Sequence, residues 1–181
     1  MIWYVLLYSV LGYGLEMGYA LWKHGSAKGR RTMLLLPMCP VYGLGAAGIL
    51  ALSALVPQNG WLMMLCGALA ATASEYGMSV FYEKICGVSF WDYRDYSFHL
   101  QGRVCLRFSI YWGLLTLPLV YMVHPYVEKL VERLSPVMLI PVLTLFVLDF
   151  LLTTFLLRKS RTKAVLDWRQ FNHLGGTEWL D

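Results

Sequence analysis

Apolar residues along this chain fall in five long runs, about 2–22, 33–56, 60–82, 104–124 and 136–157, with the charges gathered between them. An α-helix needs roughly 20 residues to cross the hydrocarbon core of a bilayer, and each run is close to or above that length. The pattern predicts an all-α fold: an integral membrane bundle of five transmembrane helices forming one domain, 1–163, followed by a cytoplasmic tail, 164–181. Between the fourth and fifth runs, segment 125–135 opens with Pro125 and repeats apolar residues at Val127, Leu130, Val131 and Leu134. That spacing predicts an amphipathic helix lying on the membrane surface. The stretch 90–103 mixes aromatics with charges and has neither a helical nor a strand period. It is too apolar for a free loop and is expected to fold back over one mouth of the bundle.

Composition sharpens this picture. Of 181 residues, 58% are hydrophobic and 14% charged, where a soluble domain carries about 25% charge. Mean hydropathy is +0.54. The sequence has no GxxxxGK[ST] loop, which excludes ATP hydrolysis by that route within this chain. The first run lacks a basic leader region and contains Glu16, so it reads as a retained span rather than a cleaved signal. Cys39, Cys66, Cys86 and Cys105 show no CxxC pairing and read as small apolar filler, with neither a disulfide framework nor a metal site implied.

Basic residues set the orientation. Lys23, Lys28, Arg30 and Arg31 follow the first run, Lys84, Arg94 and Arg103 follow the third, and 158–163 after the fifth carries Arg158, Lys159, Arg161 and Lys163. The second loop, Pro57 to Gly60, has none, and Lys129 and Arg133 in the fourth are offset by Glu128 and Glu132. Alternation puts the N-terminus outside and the C-terminus in the cytoplasm of a multi-pass cell-membrane protein. The net charge of +4 then follows from topology and calls for no nucleic-acid partner.

With that orientation, the polar groups of the first four runs gather in the cytoplasmic third. Glu16, Arg31, Tyr42, Glu75, Glu83, Arg103, Arg107 and Ser109 all fall there. Glu75, Ser79 and Glu83 are spaced i, i+4, i+8 and share one helix face. Trp112 lies one turn further along the fourth run, and Trp91, Asp92, Tyr93 and His99 belong to the loop above. Charge at bilayer depth is expensive, so it marks either an internal brace or a working site. Glu16 and Glu75 are too deep and too short to reach water, so each must be paired, protonated or open to a cavity. Glu75 and Glu83 with Arg103 and Arg107 also read as neutralising ion pairs. His99 reads as a structural hydrogen-bonding group or as one titrating near neutral pH. Pro37 and Pro40 remove backbone donors and are expected to break the second span. Asp149 joins this cluster or pairs elsewhere. Small residues at Gly43, Gly45, Ala46, Ala47 and Gly48, and at Gly67, Ala68, Ala70, Ala71 and Ala73, predict close helix packing, within one chain or between two copies.

The same residues carry a resemblance. Arg31 through Gly43, ending Cys-Pro-Val-Tyr-Gly, is similar to an NRGxLxGPxCPIYG motif. Glu75-Tyr76 to Glu83, Trp91-Asp92-Tyr93, Gly102-Arg103-Val104-Cys105 and Ser109 with Trp112-Gly113 resemble EY…E, WDYS, FNxxGRIC and SxxWG blocks. In order, over roughly 10–125, they resemble the CmpB-like family of small bacterial membrane proteins named as type IV ABC-transporter permeases. Arg30, Leu36, Arg94, His99 and Arg107 depart from the family pattern. The resemblance implies a membrane component that borrows a separate ATPase, with no cofactor of its own.

Two functions are consistent with these residues. One is a permease-like transport component in the bilayer, acting with a second copy or an ATPase subunit, whose inner polar cluster binds cargo or couples to the ATPase. The other is an intramembrane enzyme acting on a lipid or isoprenoid headgroup at the inner leaflet, with carboxylates as acid and base and arginines as an anion clamp. A structural or assembly subunit is a third reading. No nucleophile–base pair and no metal-ligand spacing singles out a catalytic residue.

Overall fold

The computed structural model describes residues 1–24, 31–56 and 59–167. The expected tail from Trp168 onward, Lys28 and Arg30 of the first loop, and Pro57 and Gln58 of the second lie outside the described residues. The described chain is mostly helical. In order come α1 (Ile2–His24), α2 (Pro40–Ser53), α3 (Gly60–Phe81) with a π-helical turn Tyr82–Cys86, and a two-stranded hairpin. Then follow α4 (Leu106–Pro118), a π-helical stretch Leu119–Val123, α5 (His124–Arg133), α6 (Pro136–Ser160) and a 3-10 turn Lys163–Leu166.

Local chemistry explains the boundaries. The Asn59 side chain accepts from the backbone N–H groups of Trp61 and Leu62 and so caps α3. Ser135 accepts from Val137 and, with Pro136 in the first turn, starts α6. Gly87, at φ 71°, ends the π-helical turn in the left-handed conformation that glycine adopts without strain.

Helices α1 to α4 pack in sequence order, α1 on α2, α2 on α3 and α3 on α4. The small residues do the work expected of them. Gly43 faces Ser9 and the Val5 carbonyl of α1, Gly45 and Gly48 face Ala71 and Ala70 of α3, and Gly67 faces Thr116 of α4. These close approaches are all within one chain.

Three expectations need correction. First, the run 33–56 is broken, as its prolines predict, but its helix begins at Pro40 and not at 33. Residues 31–39 are non-helical and α2 begins only at Pro40, because Pro37 and Pro40 cannot supply the N–H groups a continuous helix needs. This strip lies against α6, where Leu34, Leu35 and Leu36 donate backbone N–H groups to Thr153 and Asp149. Second, the fourth run and the amphipathic segment form one uninterrupted helical stretch, Leu106–Arg133, of 28 residues. Its last part keeps the expected amphipathic pattern, with Val127 buried beside Tyr8, Ala46 and Leu50 and most of its other residues exposed. Third, the aromatic loop is not without strand: His99–Leu100 pairs antiparallel with Val104–Cys105. At the other end, Val165 and Leu166 are buried with Leu157, Cys86 and Val88.

Among the described residues, two helical stretches, Leu106–Arg133 and Pro136–Ser160, are long and apolar enough to cross a membrane, with mean hydropathy 1.4 and 2.3. Much of their apolar surface faces outward, including Ile140, Leu145, Leu148, Leu151 and Phe155 on α6.

Candidate functional site

Polar side chains from four helices and the loop meet at one end of the bundle. The inner part is built on two carboxylates. Glu16 on α1 accepts a hydrogen bond from the Tyr42 hydroxyl of α2 at 2.6 Å. Glu75 on α3, 6% exposed, accepts from the Tyr93 hydroxyl at 2.6 Å and from Trp112 Nε1 of α4 at 3.2 Å. The two halves touch through the edge-to-face rings of Tyr42 and Trp112, whose centroids are 5.3 Å apart. Each carboxylate thus has an O–H donor, and the hydroxyls satisfy acceptors that would be costly to bury unpaired.

Backbone geometry fixes this arrangement. Pro40 starts α2 two residues before Tyr42, and the Cys39 N–H donates to the Ser9 carbonyl of α1 at 2.8 Å. Tyr42 can then lie on Gly12, where any side chain would collide: a Cβ there would sit 2.2 Å from Tyr42 Cβ. Tyr93 comes from the loop and is held by Phe108 stacked on its ring at 4.8 Å. Its backbone N–H donates to the Gly102 carbonyl. Burial, and then the neighbouring Glu75 carboxylate, push the Tyr93 hydroxyl well above its ordinary range, so it stays protonated as a donor.

The outer part is an ion pair. Arg103 Nε donates to Glu83 Oε2 at 2.9 Å, and its guanidinium also bonds Gln101 and lies 5.5 Å from the Tyr76 ring centroid. Ser79 donates to the other Glu83 oxygen at 3.3 Å. Trp91 closes this part by donating Nε1 to the Arg103 carbonyl at 2.9 Å. Beside it is a cleft of about 270 Å³ lined by residues that include Glu83, Trp91, Asp92, Arg94 and Gln101.

The structure therefore brings Glu16, Tyr42, Glu75, Tyr93 and Trp112 together, and Ser79, Glu83, Trp91 and Arg103 beside them. Other expected members stand apart. Arg107 is exposed and turned to Tyr96 and Tyr111, with Nε donating to the Tyr111 hydroxyl at 3.0 Å. Arg31 donates to the Leu34 and Leu35 carbonyls and steadies the strip. His99 is exposed and accepts from the Gly102 N–H within the hairpin turn. Asp92 pairs with Arg94 at 3.6 Å on the surface. Ser109 accepts from Thr72 at 2.8 Å, bracing α3 against α4. Asp149 does not reach the carboxylates, because both its oxygens accept backbone N–H groups of the strip. The sequence reading missed Tyr76 and Gln101, whose only signal was their place beside Glu75 and Arg103 in the motif blocks.

No curated protein and no solved structure matches the chain. The model of a family described as "Putative ABC-transporter type IV" matches residues 3–155. Most of the sequence lies within that match, including every residue of both parts of the site, and the chain belongs to this ABC-transporter-type family.

Proposed function

We propose that the chain is the membrane-spanning component of an ABC-type transporter in the cell membrane, with five spans, the N-terminus outside and the C-terminus in the cytoplasm. It works with a separate ATPase subunit, and the carboxylate–tyrosine–tryptophan network serves as its cargo or coupling site at the cytoplasmic end. The observation that carries this reading is the Tyr93–Glu75 hydrogen bond. It ties a loop on the charged, basic side of the protein to a buried carboxylate inside the bundle. A partner that moves the loop therefore moves a donor on Glu75, which gives a physical route from an ATPase to the bundle interior. Family membership supports the same reading.

The headgroup-enzyme reading is less well supported. It requires arginines free to clamp an anion, but Arg103 is engaged by Glu83 and Gln101, and Arg107 faces Tyr96 and Tyr111.

The test is purification in mild detergent from the native host. An ATPase subunit should accompany the chain, and nucleotide hydrolysis by the complex should fall in Tyr93→Phe while the complex stays assembled. Repeated isolation of the chain alone, without nucleotide-dependent activity, would reject the proposal.

A further inference from the structure

The strip 31–39 poses a problem that the transport reading does not address. It is non-helical backbone, bent over 32–36, in which Met38 N–H reaches the Leu36 carbonyl at 2.9 Å while Leu34, Leu35 and Leu36 lack the N–H partners a helix would supply, and at bilayer depth such groups need partners. Asp149 poses the converse problem. It is a carboxylate 3% exposed near the middle of α6, a helix whose mean hydropathy is 2.3. Each resolves the other. Leu35 N–H lies 3.1 Å from both Asp149 oxygens, Leu36 N–H donates to Oδ2 at 2.7 Å, and Leu34 N–H donates to Thr153 Oγ1 at 3.0 Å. Thr153, one turn on, also donates to Asp149 at 3.3 Å. On the strip's other edge, Arg31 binds the Leu34 and Leu35 carbonyls, and Thr32 donates to the Met38 carbonyl.

The strip leads directly into Cys39, the α1 contact at Ser9, and Tyr42 on Glu16. We infer that Asp149 and Thr153 form a clasp that holds the broken second span on α6 and, through it, positions Tyr42 against Glu16. Apolar contact alone cannot specify this docking, because lipid tails solvate α6 as well as Leu6 or Met33 do; the directed acceptors supply the specificity. The inference holds whatever the cargo and whether or not an ATPase binds.

Hydrogen–deuterium exchange on the full chain in lipid nanodiscs reads the clasp directly, since the amides of Leu34, Leu35 and Leu36 are its donors. In Asp149→Ala, peptide 31–39 should exchange at least about tenfold faster than in wild type, while α3 keeps its protection. Asp149→Asn retains one acceptor oxygen and should fall between the two, whereas a role of Asp149 through its charge would leave Asn as impaired as Ala. Thr153→Val removes a single acceptor and should loosen the strip least. Positioning is read at Cys39, 4% exposed at the start of α2. N-Ethylmaleimide should label it faster in Asp149→Ala, with buried Cys86 and Cys105 still protected. Unchanged exchange over 31–39 in Asp149→Ala overturns the clasp. Faster exchange with Cys39 still protected overturns the positioning role. Equal labelling of all three cysteines in every variant, Thr153→Val included, overturns both in favour of general unfolding.

Discussion

At the scale of single residues, the most exacting demand falls on Tyr93. Its hydroxyl is the only described donor that reaches Glu75 from the loop, and Phe108 holds the ring in place. Tyr93→Phe keeps the stacking and deletes the bond, so the cost should be about 1–3 kcal/mol, measured by denaturant titration in detergent. The pH dependence has a definite sign. The folded state raises the Tyr93 value above its ordinary 10.0, first through burial and then through Glu75. A group raised on folding contributes stability that is complete below its unfolded value and is lost as pH rises further. Wild type and Tyr93→Phe should therefore differ by a constant amount at neutral pH, and the gap should close above about pH 10. The outer ion pair invites a different experiment. Arg103→Ala leaves Glu83 facing Ser79 alone in a part-buried position, so it should be more harmful than the double change Arg103→Ala with Glu83→Ala, and a thermal-melt cycle of the four proteins would measure that coupling.

At the scale of elements, close helix contact rests on particular glycines, and the structure separates those that matter from those that do not. A Cβ on Gly67 would lie 1.9 Å from Thr116 Oγ1, and one on Gly12 would strike Tyr42. Gly77, on the same helix as Gly67, has nothing within 4 Å of that position. Gly67→Ala and Gly12→Ala should each cost about 1–3 kcal/mol, whereas Gly77→Ala should be neutral or slightly stabilising. Melting temperatures in one detergent decide this, and equal effects at all three would refute the packing account. Much at this scale was legible in the sequence. The run 60–82 became Gly60–Phe81 and the small residues marked the α2–α3 contact, because length, capping and side-chain volume are local properties. The strip was not legible in the same way. Pro37 and Pro40 announce the break, but Leu34, Leu35 and Leu36 carry no sign of where the freed backbone docks, because its partner Asp149 lies more than a hundred residues away. Arg107 misled for a related reason. Its spacing from Arg103 put both on one helix, but Arg103 precedes α4 and turns to Glu83, while Arg107 lies within α4 and faces the aromatic rings of Tyr96 and Tyr111.

At the scale of the whole molecule, the question is which solvent the outer surface meets. Helix α6 exposes Val137 and Ile140 near its start, Leu145, Leu148, Leu151 and Leu152 through its middle, and Phe155 near its end. Water would penalise so continuous an apolar surface, since a soluble monomer rarely leaves patches beyond a few hundred Å² uncovered. Hydrocarbon would not. Helices α1 to α3 carry the polar network on their inner faces: Glu16 on α1 and Tyr42 on α2 bond each other, Glu75 on α3 bonds Trp112, and residues such as Leu15, Leu44 and Leu69 are left on the outer surface. This division assigns opposite outcomes to one substitution. Leu148 is 58% exposed at mid-helix, next to the clasp residue Asp149 but pointing away from the strip. Leu148→Lys at a water-facing position would cost almost nothing and improve solubility. At the centre of a span it should cost about 2.5–3.5 kcal/mol of insertion free energy, seen as a falling inserted fraction in a membrane-insertion assay. The same lysine at Arg158, in the last turn of α6 where the basic cluster begins, should insert normally. A normal yield of membrane-inserted Leu148→Lys would remove α6 from the bilayer, and with it the proposed five-span arrangement and the proposed transport role.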